Sequence, residues 1–210
     1  MIGVLGGTFD PIHFGHLRPA LEIFEQLDLD ELRFIPSANP PHRWQPEASA
    51  EHRLEMVKLA VEGIDGFVVD DREYQREGAS YTVDTLASIR EEIGSTEPLC
   101  MLIGMDAFAH FTKWHDWQGI LKLAHLVISS RPGTNHVKID DWMKDRVTES
   151  SDDLHKHLVG KLFFADVSQL DLSATYLRKQ IHEEKSSQFA TPVEVGEYIE
   201  LNKLYTSPST

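Results

Sequence analysis

A chain of 210 residues with 41% hydrophobic and 26% charged residues can bury a sizeable core, and no apolar run in it is long enough for a membrane span. Its formal charge of −14 excludes broad binding to nucleic acid or to an anionic membrane, since both need a basic field. Met1-Ile2-Gly3-Val4-Leu5 has no basic n-region, which argues against a cleaved signal peptide, and the single Cys100 can form no internal disulfide, so a cytoplasmic setting is expected.

That short apolar opening reads as a strand. It runs into Gly6-Gly7-Thr8-Phe9-Asp10-Pro11-Ile12-His13-Phe14-Gly15-His16, and then into a segment with Leu17, Ala20, Leu21, Phe24 and Leu27 on one helical face. A strand, a glycine-rich turn and a helix place this junction at the carboxyl edge of an open parallel sheet, where ligands bind. Paired glycines let backbone approach an anion, and a helix start offers unpaired N–H groups to it. His13 and His16, three apart with Gly15 between, are placed to aim both rings at one group. The spacing is too short for a helical zinc pair, and no Glu follows His13, so metalloprotease chemistry is not expected. The plain alternative is a satisfied histidine pair at a helix start.

Leu32-Arg33-Phe34-Ile35 is the second predicted strand, followed by the proline-stiffened loop Pro36 to Trp44, which presents His42 and Arg43. Leu54, Val57, Ala60, Val61 and Ile64 predict a helix that ends at Gly63 and Gly66, and Phe67-Val68-Val69-Asp70 predicts the third strand. After a polar connection, Ser80 or Thr82 is placed to cap a helix whose face is Leu86, Ile89 and Ile93. Leu99 to Ile103 is continuously apolar, as in a strand covered on both faces, and ends at Gly104-Met105-Asp106. Asp106 can accept from a ribose hydroxyl or an adenine amine, or cap the next helix. Phe108, Phe111, Trp114 and Trp117 form an aromatic stretch, in which Trp114 sits between Lys113 and His115, off any clear apolar face. His125 to Ser130 is a further strand. Residues 134–158 are polar with little periodicity and read as a surface insertion or loop. Leu162 to Val167 is the last strand. Ser173 is placed to cap a helix carrying Leu177, Arg178 and Ile181, and Val195 to Leu204 is a closing helix. An anion over the start of the Ser173 helix would meet free N–H groups, the Ser173 and Thr175 hydroxyls and Arg178. Strands alternating with helices give an α/β class with a mainly parallel sheet. There is no Gly-x-Gly-x-x-Gly turn and no phosphate-binding Gly-x-x-x-x-Gly-Lys-Ser/Thr loop.

Gly6-Gly7-Thr8-Phe9-Asp10-Pro11 with His13-Phe14-Gly15-His16 resembles the signature of the nucleotidyltransferase superfamily, and of its bacterial nicotinate-mononucleotide adenylyltransferases in particular. Later segments resemble that family in the same order: Pro40-Pro41-His42-Arg43, Gly78-x-Ser80-Tyr81-Thr82-x-Asp84-Thr85-Leu86, Trp114, and Leu172-Ser173-Ala174-Thr175-x-x-Arg178. Ser37 stands where many relatives have asparagine, and Leu172 and Ala174 depart from the family's Ile-Ser-Ser-Thr pattern; Ala174 removes one hydroxyl.

The resemblance implies a Rossmann-like nucleotidyltransferase fold with helices on both faces of the sheet, in one domain over residues 1–210 with a small helical portion from about 172 to 205. It implies adenylyl transfer from ATP to nicotinate mononucleotide, with deamido-NAD and pyrophosphate as products. His13, His16 and Arg178 would be catalytic. Gly6, Gly7, Thr8, Phe9, His42, Arg43, Gly104, Asp106, Ser173 and Thr175 would hold ATP and its phosphates, and Ser80, Tyr81, Thr82 and Trp114 the pyridine nucleotide. Mg²⁺ would travel on the ATP phosphates with few protein ligands. A helix start beside the pyridine ring suits a carboxylate over a neutral amide. The competing readings are a transferase for nicotinamide mononucleotide or another phosphate acceptor, and a noncatalytic nucleotide-binding module. A homo-oligomer is compatible with the sequence.

Overall fold

The fold is taken from a computed structural model, which describes residues 1–41, 45–130 and 140–206. In chain order the elements are β1 (Ile2–Gly7), α1 (Phe14–Gln26), β2 (Glu31–Pro36), α2 (Ala50–Val61), β3 (Phe67–Val69), α3 (Thr82–Ile93), β4 (Leu99–Gly104) and α4 (Met105–Phe108). They continue with α5 (Trp117–Leu123), β5 (His125–Ser130), β6 (Val147–Thr148), α6 (Asp152–Lys156), β7 (Leu162–Asp166), α7 (Ala174–His182) and α8 (Val193–Leu201).

Seven strands form one sheet in the order β3-β2-β1-β4-β5-β7-β6, and every pairing is parallel. The chain winds outward from β1 through β2 and β3, then returns to the other side of β1 as β4. That reversal is a topological switch point between β1 and β4, and open α/β sheets bind ligands in the crevice above the carboxyl ends of the strands at such a point. The fold is Rossmann-like, as the family resemblance implies, and its all-parallel sheet is the one that the alternating strand–helix pattern predicts.

Alternation along the strands divides the core in two. On β4, Cys100 and Leu102 face a cluster with Leu17, Ala20 and Ile23 of α1 and Met56 and Val57 of α2. Leu99, Met101 and Ile103 face the opposite cluster, with Leu86 and Ile89 of α3 and Ile120 and Leu121 of α5. Both faces of the strand are covered, which is why its sequence is apolar without alternation. α8 joins the first cluster through Val195 and Ile199, and its Tyr198 hydroxyl lies 2.8 Å from His52 Nδ1 on α2.

Three local expectations are corrected. Neither Ser80 nor Thr82 caps α3: the N-cap position is Tyr81, with no side-chain cap bond, because the Ser80 hydroxyl accepts instead from the Asn39 N–H at 3.0 Å. Of residues 134–158, read as a surface insertion or loop, 134–139 lie outside the described residues, and 140–158 carry a 3-10 turn at Asp141–Met143, the edge strand β6 and α6, and bury Met143 and Leu154. The helical face read in α2 is shifted, with Ile64 exposed beyond the helix end and Arg53 in the buried stripe.

Candidate active site

The β1–α1 loop is shaped by close contacts that only glycine permits. A Cβ on Gly7 would stand 2.9 Å from the ring of Phe9, and one on Gly15 would stand 2.8 Å from the His13 ring and 3.1 Å from the Leu172 carbonyl oxygen. Phe9 itself has a left-handed backbone, φ 47°, which costs a non-glycine residue on the order of 1 kcal/mol or more. Its ring is buried and holds that conformation by packing edge-on against His16, 5.2 Å between centroids, and against Phe34.

His13 is the N-cap residue of α1 rather than a member of its first turn, and its ring stacks on that of His16 with centroids 3.8 Å apart. The His13 N–H donates to His16 Nδ1 at 3.3 Å. An accepting Nδ1 puts the proton of a neutral His16 on Nε2, as a donor. Burial lowers the His13 pKa to about 4; burial and then the neighbouring His13 lower that of His16 to about 3. Both imidazoles are therefore neutral near pH 7, and His13 Nδ1 is buried with no hydrogen-bond partner among the described residues.

Asp10 organises the loop from below. Its carboxylate accepts from the Glu47 N–H at 2.9 Å, the Ala48 N–H at 3.1 Å and the Tyr205 hydroxyl at 2.7 Å. Its carbonyl oxygen accepts from Arg178 Nη1 at 2.8 Å. With Gly15 pressed against Leu172, this brings the start of α7 and Arg178 to the histidine loop. Ser173 does cap α7: its hydroxyl accepts from the Tyr176 N–H at 3.1 Å, with Thr175 exposed in the first turn.

A second anchor escapes the sequence reading. Arg53, 1% exposed, donates to the carbonyls of Thr8 at 2.8 Å, Ser37 at 2.6 Å and Ala38 at 3.3 Å. It binds the loops after β1 and β2 to each other. Its spacing before Met56, Val57 and Ala60, on the apolar face of α2, was the available signal for a buried charge. Asn39 then links the β2 loop to the start of α3: its N–H donates to Ser80 Oγ, its carbonyl accepts from the Ser80 N–H at 2.9 Å, and its side chain donates to the Gly78 carbonyl at 3.1 Å.

On the far side of the crevice, Gly104 ends β4 and precedes α4, and Asp106 is exposed in the first turn. The N-cap of α4 is Gly104 and Asp106 is the second residue of the helix, so Asp106 does not occupy the capping position. Trp114 is half-buried against Phe111, 5.8 Å between centroids, and so serves the aromatic core on one face. Its neighbour His115 lies against Tyr81 at 4.3 Å, so the Trp114 loop meets the start of α3. The N-cap side chain of α3 makes no bond to the first-turn N–H groups. The described site residues therefore stand at three places: Gly6, Gly7, Thr8, Phe9, His13, His16, Ser173, Thr175 and Arg178 around the β1–α1 loop, Gly104 and Asp106 at the end of β4, and Ser80, Tyr81, Thr82 and Trp114 around the start of α3. His42 and Arg43 lie outside the described residues.

Residues 4–180 match the model of the cytidylyltransferase-like family. A "Probable nicotinate-nucleotide adenylyltransferase" of Aeromonas salmonicida is 45% identical over 207 residues, covering 97% of this chain and 96% of the relative. The chain belongs to this family. A relative of the same name from Methylococcus capsulatus is 43% identical over 98% of this chain and 99% of its own length. The structure of the Plasmodium falciparum nicotinic acid mononucleotide adenylyltransferase complexed with NaAD superposes with a TM-score of 0.71, covering 97% of this chain and 96% of that one at 19% identity, which is a likeness of fold. Across the family match, from β1 to the middle of α7, lie the histidine loop and Arg178 alike.

Proposed function

We propose that this protein transfers the adenylyl group of ATP to the 5′-phosphate of nicotinate mononucleotide, releasing pyrophosphate and forming deamido-NAD. The observation that carries the reading is the meeting of the His13–His16 pair with α7 at the carboxyl edge of β1, in a chain 45% identical to a relative of that name.

The attacking phosphate oxygen is already anionic, so no general base is required. It forms a bond to the α-phosphorus of ATP as the bond to the bridging oxygen of pyrophosphate breaks. The task is to bring anions together and to stabilise charge on the phosphorus, which positioning and fixed donors accomplish. His16 Nε2–H is the donor proposed for the α-phosphate, with its tautomer set by the His13 N–H. The backbone from Gly6 to Phe9, with Ser173 and Thr175, would flank the phosphates, and His42, Arg43 and Arg178 would meet the departing pyrophosphate. Gly104 and Asp106 would meet the adenosine.

Mg²⁺ carried on ATP would offset phosphate charge there, held by the phosphates with few protein ligands. Asp10 fits that view, because its carboxylate is spent on two N–H groups and a tyrosine hydroxyl. The start of α3 is proposed to receive the pyridine carboxylate at its first N–H groups, with Trp114 as the flat partner of the ring. An amide would forgo the charge-assisted part of that contact.

Side-by-side pyrophosphate release with the acid and the amide mononucleotide tests the reading. Faster turnover of the acid supports it. Faster turnover of the amide defeats the substrate assignment, and nucleotide binding without release supports a noncatalytic module.

A further inference from the structure

One acidic side chain stands among the cations of this site without a task in the reaction. Glu47 lies just before α2, in the loop that follows β2. Its N–H donates to the Asp10 carboxylate at 2.9 Å, while its own carboxylate is exposed and bridges two residues one turn apart on α7. Arg178 Nε donates to Oε1 at 2.6 Å, and His182 Nε2 lies 2.9 Å from Oε2. Partial burial works against its charge, but the Arg178 and His182 contacts outweigh that and hold the carboxyl below its usual range.

We propose that Glu47 is a positioning residue for Arg178, fixing the rotation of its guanidinium so that the remaining N–H groups meet the outer phosphates of ATP. The inference rests on the adenylyl-transfer reading. A guanidinium held at one point swings about that point; one held at two has a fixed plane. Arg178 is held at Nη1 by the Asp10 carbonyl and at Nε by Glu47, and no partner is found for Nη2 among the described residues. Both holds are referred to Asp10, three residues before His13, because the Glu47 backbone is itself tied to the Asp10 carboxylate. The guanidinium is thus set in the same frame as the imidazole pair. His182 engages the second oxygen of Glu47 and limits the rotation of the carboxylate.

A carboxylate beside a triphosphate site has a second possible role, that of a stand-in anion displaced when ATP binds. The two roles predict opposite signs. Loss of a stand-in would tighten ATP binding; loss of a positioning group lowers kcat. The test is pyrophosphate release from MgATP and nicotinate mononucleotide by the wild type, Glu47→Ala, Glu47→Gln, Arg178→Ala and the Glu47→Ala/Arg178→Ala double variant, with thermal melting of each. A wild type that does not turn over sinks the adenylyl-transfer reading, and this inference with it. With an active wild type, Glu47→Ala is expected to lower kcat about tenfold and leave KM for the mononucleotide unchanged. Glu47→Gln, whose amide oxygen still accepts from Nε, is expected to recover most of that loss. In the Arg178→Ala background, Glu47→Ala is expected to change kcat by less than about twofold, since the group it acts through is gone. Three results overturn the proposal: wild-type kcat in Glu47→Ala or in Arg178→Ala, a lower KM for ATP with no loss of kcat, or the same tenfold cost in both backgrounds. The last would mark a merely structural residue.

Discussion

The rings of His13 and His16 are stacked, with centroids 3.8 Å apart and planes 29° from parallel, and the backbone of the first hydrogen-bonds the ring of the second. Two imidazoles this close do not both carry a proton at moderate cost, because like charges in a buried site repel strongly. The pair is therefore neutral, and one backbone N–H sets the tautomer of His16. Replacing His16 by Ala removes the donor and leaves the stacked neighbour in place. The expected result is a fall in kcat of about 10² to 10³ with an unchanged melting temperature, as for loss of one preorganised donor. Steady-state rates and a melting curve check it, and a full-rate variant removes His16 from the mechanism.

Neutrality of the pair is itself measurable. Ring-nitrogen NMR of the free protein should show His13 and His16 predominantly neutral from pH 8 down to 5, with the single ring proton of His16 on Nε2, since their pKa values lie at about 4 and about 3. Saturating ATP should move both values upward, because a bound anion favours the charged imidazole. Protonation of either ring near pH 6.5 in the free protein would contradict the buried geometry.

Acid should destabilise the fold through buried histidines. His13 and His125 are buried, and burial lowers the pKa of each; His125 has Nε2 2.9 Å from the His157 carbonyl and Nδ1 accepting from the Lys161 N–H at 3.0 Å. The unfolded chain takes up these protons near pH 6.5, while the native chain resists them. Their contribution is complete above about pH 6.5 and is lost as pH falls from there toward the native values, near 4 for His13. Melting temperatures across that window should fall with pH by more in the wild type than in a His13→Asn variant.

Gly15 admits no side chain. An added methyl would push the His13 ring or the Leu172 carbonyl, at 2.8 and 3.1 Å from the position of its Cβ. Gly15→Ala should cost about 1–3 kcal/mol of stability by overpacking, and lower kcat/KM about 10²-fold by displacing the rings. Denaturant unfolding and initial rates separate the two effects.

Arg53 should govern both stability and ATP use. Arg53→Met leaves the carbonyls of Thr8, Ser37 and Ala38 without their buried donor, at roughly 1–3 kcal/mol each. A marked drop in melting temperature with a raised KM for ATP is expected; a variant equal to wild type in both would deny Arg53 its part in the loops.

Much of this architecture was legible along the chain. The unbroken apolar run from Leu99 to Ile103 announced a strand covered on both faces, and the Gly6–Gly7 turn before Leu17 announced its ligand-binding edge. The polar stretch at 140–158 was opaque because its order comes from elsewhere: two-residue β6 exists only by pairing with β7, and Trp142 is held against Trp117 and Phe111 rather than by its neighbours in sequence. The α3 cap was misread for a like reason, since the Ser80 hydroxyl is claimed by Asn39, 41 residues away.

Sequence alone determined the repeating strand–helix order, the resemblance that names the reaction, and which residue types could handle phosphate, because these depend on local pattern and chemistry. Tertiary structure decided how those residues are held. Arg53 becomes a link between two loops, Asp10 a buried hub and Glu47 the partner of Arg178 only when segments up to 195 residues apart are brought together, and no local period encodes such contacts.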